Sequence, residues 1–181
     1  AIEINAKAFH KLEKYKRTLS GRTGCGLCGV DKLEQAIKPI EKVVSTFKTE
    51  ATQIHASMQS IKSHQQLNKE TGALHAAAFV NQLGEIIAVR EDVGRHNALD
   101  KLIGHLMREK INTADGYVLI TSRCSFEMVQ KCAIAGIPII AAVSATTGLA
   151  IDLAEQAGIS VIAFARKGGM NIVTDTIDRI R

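Results

Sequence analysis

Two cysteines three positions apart are the residues of this sequence whose type and spacing suit chemistry most directly. Cys25 and Cys28 lie in the stretch TGCGLCG. Such a pair can hold half of a zinc site, work as a redox dithiol, or carry sulfur on a nucleophilic cysteine. These functions differ in what must surround the pair, so the rest of the chain discriminates among them.

Neither zinc binding nor thioredoxin-type redox chemistry fits the surroundings of the pair. A closed zinc site needs two more ligands, but the remaining thiols, Cys124 and Cys132, are eight positions apart, at a predicted strand end and in a predicted helix. A redox dithiol follows a strand and opens a helix, whereas this pair precedes every predicted strand. A nucleophilic or sulfur-carrying cysteine remains, with an adventitious pair as the alternative.

The residues around the pair favour the nucleophile. Residues 7–22 hold six basic side chains and one acidic side chain, Glu13. Positive charge nearby favours thiolate over thiol. The three glycines of TGCGLCG predict a mobile loop, because each glycine costs a helix about 1 kcal/mol. Such a loop lets another active site approach the cysteine closely.

A zinc deaminase lacks support because both of its motifs are incomplete. Those enzymes use His-x-Glu together with Pro-Cys-x-x-Cys. Here His75 is followed by Ala77 in place of the glutamate, and neither a Pro nor a second Cys accompanies Cys124 at the required spacing. We therefore interpret His75 as a structural histidine of a strand and Cys132 as a core residue.

Composition and charge exclude further classes. The 23 Lys+Arg and 18 Asp+Glu give a net charge of +5, and with no Trp and 4% aromatic residues few side chains can stack on bases. No apolar run reaches the roughly 18 residues of a membrane span, and no apolar signal region opens the chain. We expect a cytoplasmic protein without nucleic-acid or membrane partners. The first residue is Ala1 rather than Met, so we interpret the chain as lacking an N-terminal part.

Hydrophobic periodicity predicts the elements that must position these residues. Ile54, Met58 and Ile61 predict a helix over residues 49–70, ended by Gly72. Residues 73–92 predict an antiparallel hairpin with its turn at 81–84. An apolar stripe then predicts the next helix through Leu99, Leu102, Ile103, Leu106 and Met107.

The C-terminal half alternates between short apolar strands and helices. Strands open after Gly116, Gly136 and Gly158, and helices are predicted over 125–135 and 146–157. Near-continuous apolar strands are typical of a parallel sheet that helices cover on both faces. We predict an α/β fold, a layered mixed β-sheet flanked by helices, over residues 49–181. Residues 1–48 are predicted to form a basic helix and the mobile segment that carries the two cysteines.

This topology predicts where a ligand binds. In open α/β sheets, ligands bind beyond the carboxyl ends of the strands. Those ends are predicted at residues 121–125, 144–147 and 166–169, which combine hydroxyl, guanidinium and glycine groups. Hydroxyl-capped helix N-termini add free N–H groups at the same edge. The edge therefore suits a phosphate-bearing ligand, with simple helix capping as the alternative for any one loop.

Five motifs occur in a characteristic order from about residue 20 to the C-terminus: TGCGLCG, TGALHAAAF, EDVGRHNALDKLIG, the long run TSRCSFEMVQKCAIAGIPIIAAVSATTGLAIDLA, and FARKGGMNIV. In this order they resemble the FdhD family, the formate dehydrogenase accessory sulfurtransferases. The resemblance implies a cytidine-deaminase-like fold without the deaminase zinc site. It also implies that persulfide sulfur passes from a cysteine desulfurase to the molybdenum cofactor, Mo-bis-molybdopterin guanine dinucleotide, before the cofactor enters formate dehydrogenase.

The resemblance further implies roles for particular residues. Cys25 maps to the family's persulfide carrier and Cys28 to an assisting thiol. Contacts to the cofactor, which a guanine nucleotide can mimic, map onto Phe164, Ala165, Arg166, Lys167, Gly168 and Gly169. Cys124 departs from the smaller non-thiol residue of many members, which predicts a second thiol near the pocket.

Together these observations predict that Arg123, Ser144 and Arg166 hold the guanine nucleotide and its pyrophosphate. Arginine suits this role because its planar guanidinium can bind two phosphate oxygens at once. The alternative is a non-catalytic chaperone that binds the molybdenum cofactor and does not need its cysteines. Stacked helices and a sheet edge lead us to expect a homodimer.

Overall fold

The structure, a computed structural model, describes residues 40–181. Its centre is a mixed six-stranded sheet in the order β2-β1-β3-β4-β5-β6. The strands are β1 (His75–Asn81), β2 (Ile86–Asp92), β3 (Gly116–Ile120), β4 (Ile139–Ala142), β5 (Ser160–Arg166) and β6 (Gly169–Thr174). Strands β3, β4 and β5 are parallel, while β1 runs antiparallel to β2 and β3, and β6 runs antiparallel to β5. The predicted layered mixed sheet is confirmed.

Within residues 40–181, five α-helices flank this sheet: α1 (Ala51–His64), α2 (Gln66–Thr71), α3 (Arg95–Arg108), α4 (Phe126–Ile134) and α5 (Gly148–Ala157). Helix α1 covers one face, where Ile54, Met58 and Ile61 join a core with Tyr117 and Leu119 of β3. The crossovers from β3 through α4 to β4 and through α5 to β5 place both helices on one face, because such connections are right-handed. All five residues of β3 are buried, as expected for a strand covered on both faces.

The hairpin forms where the sequence predicts it, and the first helix is interrupted. The helix predicted over 49–70 breaks at Gln65 into α1 and α2 and ends at Gly72, which has a φ of 64°. Asn81 closes the β1–β2 turn, since its side-chain oxygen accepts from the backbone N–H groups of Leu83 and Glu85. Strand β6 was missed, because this edge strand is largely exposed and lacks regular alternation.

The amino ends of the central strands are closed by the segment that follows β6. Arg179 is 2% exposed, and its guanidinium donates to the carbonyl oxygens of Ser45, Phe47 and Gly158. The carboxylate of Asp175 accepts from the hydroxyl of Ser160 and from two backbone N–H groups of the same segment. We refer to this region as the amino edge, and its polar groups are paired mainly within the chain.

Residues 40–48 pack onto this domain although the sequence assigns them to the N-terminal segment. Val43 and Phe47 are each 7% exposed, and the Phe47 ring stacks at 6.2 Å from Tyr117. The division at residues 48 and 49 stays a prediction, as does the cytidine-deaminase-like fold. None of the helices within residues 40–181 has the length and apolar character to cross a membrane.

Candidate ligand-binding site

The loops that follow β3, β4 and β5 meet at the carboxyl edge of the sheet, opposite the amino edge. The backbone N–H of Cys124 donates to the carbonyl oxygen of Ala145 at 3.0 Å, and that of Thr147 donates to the carbonyl of Cys124 at 3.2 Å. The N–H of Phe164 donates to the carbonyl of Ser144 at 3.2 Å. Backbone hydrogen bonds therefore join the loops after β3 and β4 to each other and to the carboxyl end of β5, so that they form one surface.

A cleft of about 580 Å³ lies between this edge and helices α1 and α2. Its volume falls within the range of small-molecule sites. Its apolar lining consists of Met58, Ile61, Leu74, Val143 and Ala165. Its polar lining consists of Gln59, Lys62, Gln65, Asn68, His75, Thr121, Arg166 and Lys167. The combination suits a ligand with an apolar or flat body and polar substituents.

A second pocket of about 470 Å³ lies against the turn between β5 and β6. Phe164, Gly168 and Gly169 line it, and Arg166 and Lys167 line both this pocket and the cleft. The six residues that the family resemblance singles out thus all lie on one or both of these surfaces. Their role in binding stays a prediction.

The backbone at Phe164 is strained. Its φ is 54°, a left-handed conformation that bulky side chains rarely adopt, and the β5–β6 register is irregular between Ala163 and Arg166. Phe164 is 38% exposed, and its ring lies under the Arg166 guanidinium at 5.4 Å. Strain of this kind persists where the surrounding structure holds it, and it concentrates at functional sites.

Three cations at the cleft have no carboxylate partner in the described part of the chain. Lys62, Arg166 and Lys167 are exposed, and no acidic residue lines the cleft or the second pocket. Among residues 40–181 the ion pairs involve other cations. A concave surface lined by one sign of charge concentrates ligands of the opposite sign. The carboxyl edge is therefore suited to an anionic ligand.

The remaining predicted binding residues lie on the joined loops without lining the cleft. Arg123 is exposed in the loop after β3. Ser144 is half-buried, and its carbonyl holds the backbone of Phe164. Neither residue lines the cleft or the second pocket. Their predicted contacts to a nucleotide stay predictions, which need a ligand that extends along the edge.

Sequence reasoning missed the contribution of α1, α2 and β1. His75, interpreted as a structural histidine, opens β1 and lines the cleft. Partial burial, with Arg95 nearby, lowers its pKa below the usual value. Because β1 runs antiparallel to β3, it must start beside the carboxyl end of β3. This topology was the signal that could have placed His75 at the carboxyl edge. Hydrogen bonds between Ala76 and Thr121 confirm that neighbourhood.

Two cysteines are in the described part of the chain, and both are core residues. Cys124 and Cys132 are 0% exposed, which confirms the prediction for Cys132. Burial raises the pKa of Cys124 to about 12 and also raises the pKa of Cys132. Cys124 is therefore a buried thiol rather than a reactive group in the pocket. Cys25 and Cys28 lie outside the described residues.

A buried polar pair lies behind the carboxyl edge, where α3 and α4 begin. Nε2 of His96 is 3.9 Å from Oε1 of Glu127, and burial lowers the pKa of His96, with Arg95 as a second cause. Within the described residues, no His, Cys, Asp and Glu side chains form a group of three or more that could hold a metal ion.

The fold and this edge define a class: α/β domains whose mixed sheet presents a cationic cleft at the carboxyl ends of its parallel strands. Comparison with known proteins then identifies the family. The model of the FdhD/NarQ family matches residues 1–181, and the chain belongs to this family.

Several relatives are similar over most of the chain. A protein of Bordetella bronchiseptica named sulfur carrier protein FdhD is 47% identical over 165 residues, covering 91% of this chain and 60% of the relative. A protein of Variovorax paradoxus with the same name is 43% identical over 173 residues, covering 96% and 62%. The chain thus spans about three fifths of the length of these curated relatives.

A solved structure shares the fold. It is a protein of Desulfotalea psychrophila assigned as a formate dehydrogenase accessory protein, and it superposes with a TM-score of 0.71 at 27% identity. The match covers 80% of this chain and 61% of that one.

Proposed function

We propose that this protein is a sulfurtransferase of the carrier type that serves formate dehydrogenase. It takes persulfide sulfur from a cysteine desulfurase and passes it to the molybdenum cofactor, Mo-bis-molybdopterin guanine dinucleotide. The observation that carries the proposal is the family match along the whole chain, which includes Cys25 and Cys28. The names of the relatives as sulfur carriers, and of the solved structure as a formate dehydrogenase accessory protein, support it.

The first step is a thiol exchange at Cys25. Its thiolate attacks the outer sulfur of the desulfurase persulfide, so a new S–S bond forms on Cys25. The S–S bond of the desulfurase breaks, and the desulfurase cysteine leaves as a thiolate. The exchange conserves electrons and needs no external oxidant. The basic residues before Cys25 favour the thiolate that starts it.

The second step releases the sulfur in reduced form, and Cys28 supplies the electrons. The Cys28 thiolate attacks the inner sulfur of the Cys25 persulfide, which forms a Cys25–Cys28 disulfide and expels hydrosulfide as the ligand for molybdenum. A cellular dithiol then reduces the disulfide to restore both thiols. The spacing of two residues between the cysteines suits this disulfide. Because the cycle needs reduced thiols, we place it in the cytoplasm.

The carboxyl edge holds the cofactor as substrate. Arg166 and Lys167 provide two cations without an ion-pair partner among residues 40–181, and a guanidinium binds pyrophosphate oxygens through two parallel hydrogen bonds. Gly169, with a φ of 132°, and Gly168 leave the neighbouring turn open, since an added Cβ would meet no atom within 4 Å. Arg123 and Ser144 extend the binding surface along the edge. The arrangement fits a ligand with two phosphates and a flat ring.

Mass spectrometry tests the carrier step. After incubation with a cysteine desulfurase and cysteine, we expect one added sulfur on Cys25 in the 181-residue chain. The variant Cys28→Ser should accumulate this persulfide, because release of the sulfur is blocked. An unmodified Cys25 alongside a persulfide on another residue would contradict the assignment.

Complementation separates this function from that of a chaperone. In cells that lack the endogenous protein, Cys25→Ala should abolish formate dehydrogenase activity as completely as Arg166→Ala does. A chaperone without sulfur chemistry would tolerate Cys25→Ala and still require Arg166. Light scattering of the purified chain measures the proposed homodimer directly.

A further inference from the structure

Gln65 is a buried polar residue at the junction of α1 and α2, and it lines the cleft. Its residue exposure is 4%. The backbone of Gln65 is paired, because its N–H donates to the Lys62 carbonyl and its carbonyl accepts from the N–H of Lys69. Its side-chain nitrogen Nε2, in contrast, has no hydrogen-bond partner among residues 40–181.

An unpaired buried amide costs free energy that an apolar side chain of similar size would not cost. The position is therefore poor for stability alone. It becomes favourable if a ligand in the cleft supplies the missing acceptor. A carboxamide offers an N–H donor beside a carbonyl acceptor. It can therefore pair with a ring edge on which an acceptor faces the N–H and a donor faces the carbonyl.

The rest of the cleft suits a flat ring with an anionic extension. Met58 and Ile61 of α1 line one side, and Val143 and Ala165 line the side formed by the sheet. Arg166 and Lys167 line both the cleft and the second pocket. If a ring lies in the cleft and its phosphates extend into the second pocket, Arg166 and Lys167 lie where the phosphates pass from one to the other.

We propose that Gln65 is a specificity-determining residue of the cleft, and that its carboxamide pairs with the edge of a flat heterocycle that presents a ring carbonyl beside a ring N–H. Nε2 of Gln65 donates to the ring carbonyl, and its oxygen accepts from the neighbouring ring N–H. This inference rests on the proposed function, because the cofactor carries the same edge on its guanine and on its pterin. His55 supports the site by bonding through Nε2 to the Arg166 carbonyl at 3.1 Å, which ties α1 to the cationic turn.

Titration calorimetry on the 181-residue chain tests the pairing with three probes: GDP, 6-hydroxymethylpterin and inorganic pyrophosphate. Gln65→Leu should weaken the binding of GDP or of the pterin by about tenfold, which corresponds to one net hydrogen bond of typical strength. Pyrophosphate should bind unchanged, because it lacks the ring. A loss confined to GDP assigns the cleft to guanine, and a loss confined to the pterin assigns it to the pterin.

Thermal unfolding gives the readout that a structural role would not share. Because Nε2 is unpaired, Gln65→Leu should keep or raise the Tm while it weakens the ring ligand. The matched control is Gln66→Leu at the next, exposed position, which should change neither quantity. A lower Tm for Gln65→Leu would show that the amide is paired within the protein, and would overturn the inference.

Two other outcomes are distinguishable. Unchanged affinity of Gln65→Leu for both GDP and the pterin would overturn the role of Gln65 and leave the proposed function standing. Failure of the unaltered chain to bind any of the three probes would overturn the cofactor site of the proposed function, and this inference with it.

Discussion

Arg166 and Arg179 lie at opposite edges of one sheet and have opposite surroundings. Arg179, at the amino edge, is 2% exposed and donates to three backbone carbonyls. Arg166, at the carboxyl edge, is exposed beside a cleft of about 580 Å³ and forms no ion pair within residues 40–181. The same side chain is used for cohesion at one edge and is left open for a partner at the other.

The amino edge is closed by its own chain. Thr49 pairs with the segment after β6 through backbone hydrogen bonds to Arg179 and Arg181. Asp175 accepts three hydrogen bonds within that segment and from Ser160. Most polar groups there thus have a partner in the protein, which leaves little for a ligand to bind.

The carboxyl edge has the reverse character. Within residues 40–181, Lys62, Arg166 and Lys167 lack carboxylate partners, and Gln65 keeps an unpaired amide nitrogen. Phe164 has a strained backbone. Each of these features costs stability or contributes nothing to it. Within residues 40–181, unpaired groups gathered around one cleft mark it as a candidate site, because function can offset their cost to stability.

The strongest test of the contrast is the removal of the buried arginine. Arg179→Met should lower the free energy of unfolding by about 3 to 5 kcal/mol, since three buried carbonyl oxygens lose their donor. Urea denaturation followed by circular dichroism measures the change. Arg181→Met, at an exposed position two residues later, is the control and should have little effect. A loss no larger than that of the control would refute the structural role of the amino edge.

The matching change at the other edge should affect binding and leave stability intact. Arg166→Met should weaken GDP by about 10- to 100-fold, the worth of a charged hydrogen-bonding group. Its unfolding free energy should stay within about 0.5 kcal/mol of the unaltered protein. Calorimetry and urea denaturation measure the two quantities. The control Arg108→Met, at an exposed position at the end of α3, should change neither quantity. If Arg166→Met lowered stability and left GDP binding intact, Arg166 would have a structural role and the proposed contrast between the two edges would be wrong.

The buried thiol behind the carboxyl edge belongs to the structural part of the molecule. Cys124→Ala should cost about 1 kcal/mol of stability and leave the proposed sulfur loading on Cys25 unchanged. Because burial raises the pKa of Cys124 to about 12, native protein at pH 8 should resist iodoacetamide at this thiol and react there only in urea. Mass spectrometry of digested peptides reads both states. Rapid alkylation of Cys124 in the native protein would contradict its burial.

The smallest expected effect is an acid dependence that arises at the carboxyl edge. Burial lowers the pKa of His96 and of His75, so the folded protein holds both neutral while the unfolded chain takes up protons below about pH 6.5. The stability that depends on keeping these two imidazoles neutral is present above pH 6.5 and is lost as the pH falls. His96→Gln should flatten the fall of Tm between pH 6.5 and pH 5. The control His64→Gln, at an exposed position of α1, should show the same fall of Tm with pH as the unaltered protein. If His96→Gln also showed this fall unchanged, the acid dependence would not arise from His96.

Much of the fold was predictable because its signals are local. The stripe through Leu99 and Leu106 predicted α3, and the apolar runs after Gly116 and Gly158 predicted β3 and β5. Gly72 ended the first helical segment as expected for a residue with positive φ. Periods of 2 and 3.6 residues are properties of adjacent residues, so they are readable without the tertiary structure. Strand β6, an exposed edge strand, lacks such a period and was missed.

By itself the sequence determined the α/β class, the carboxyl edge as the place where three loops meet, and the pair Cys25 and Cys28 as the chemical candidates. Only the tertiary structure decided that Gln65, Lys62 and His75 face this edge. Thr121 lies 56 positions after Gln65, and the bond from His55 to the Arg166 carbonyl spans 111 positions. Contacts over such separations depend on how helices pack across a sheet, and no pattern of neighbouring residues records that packing.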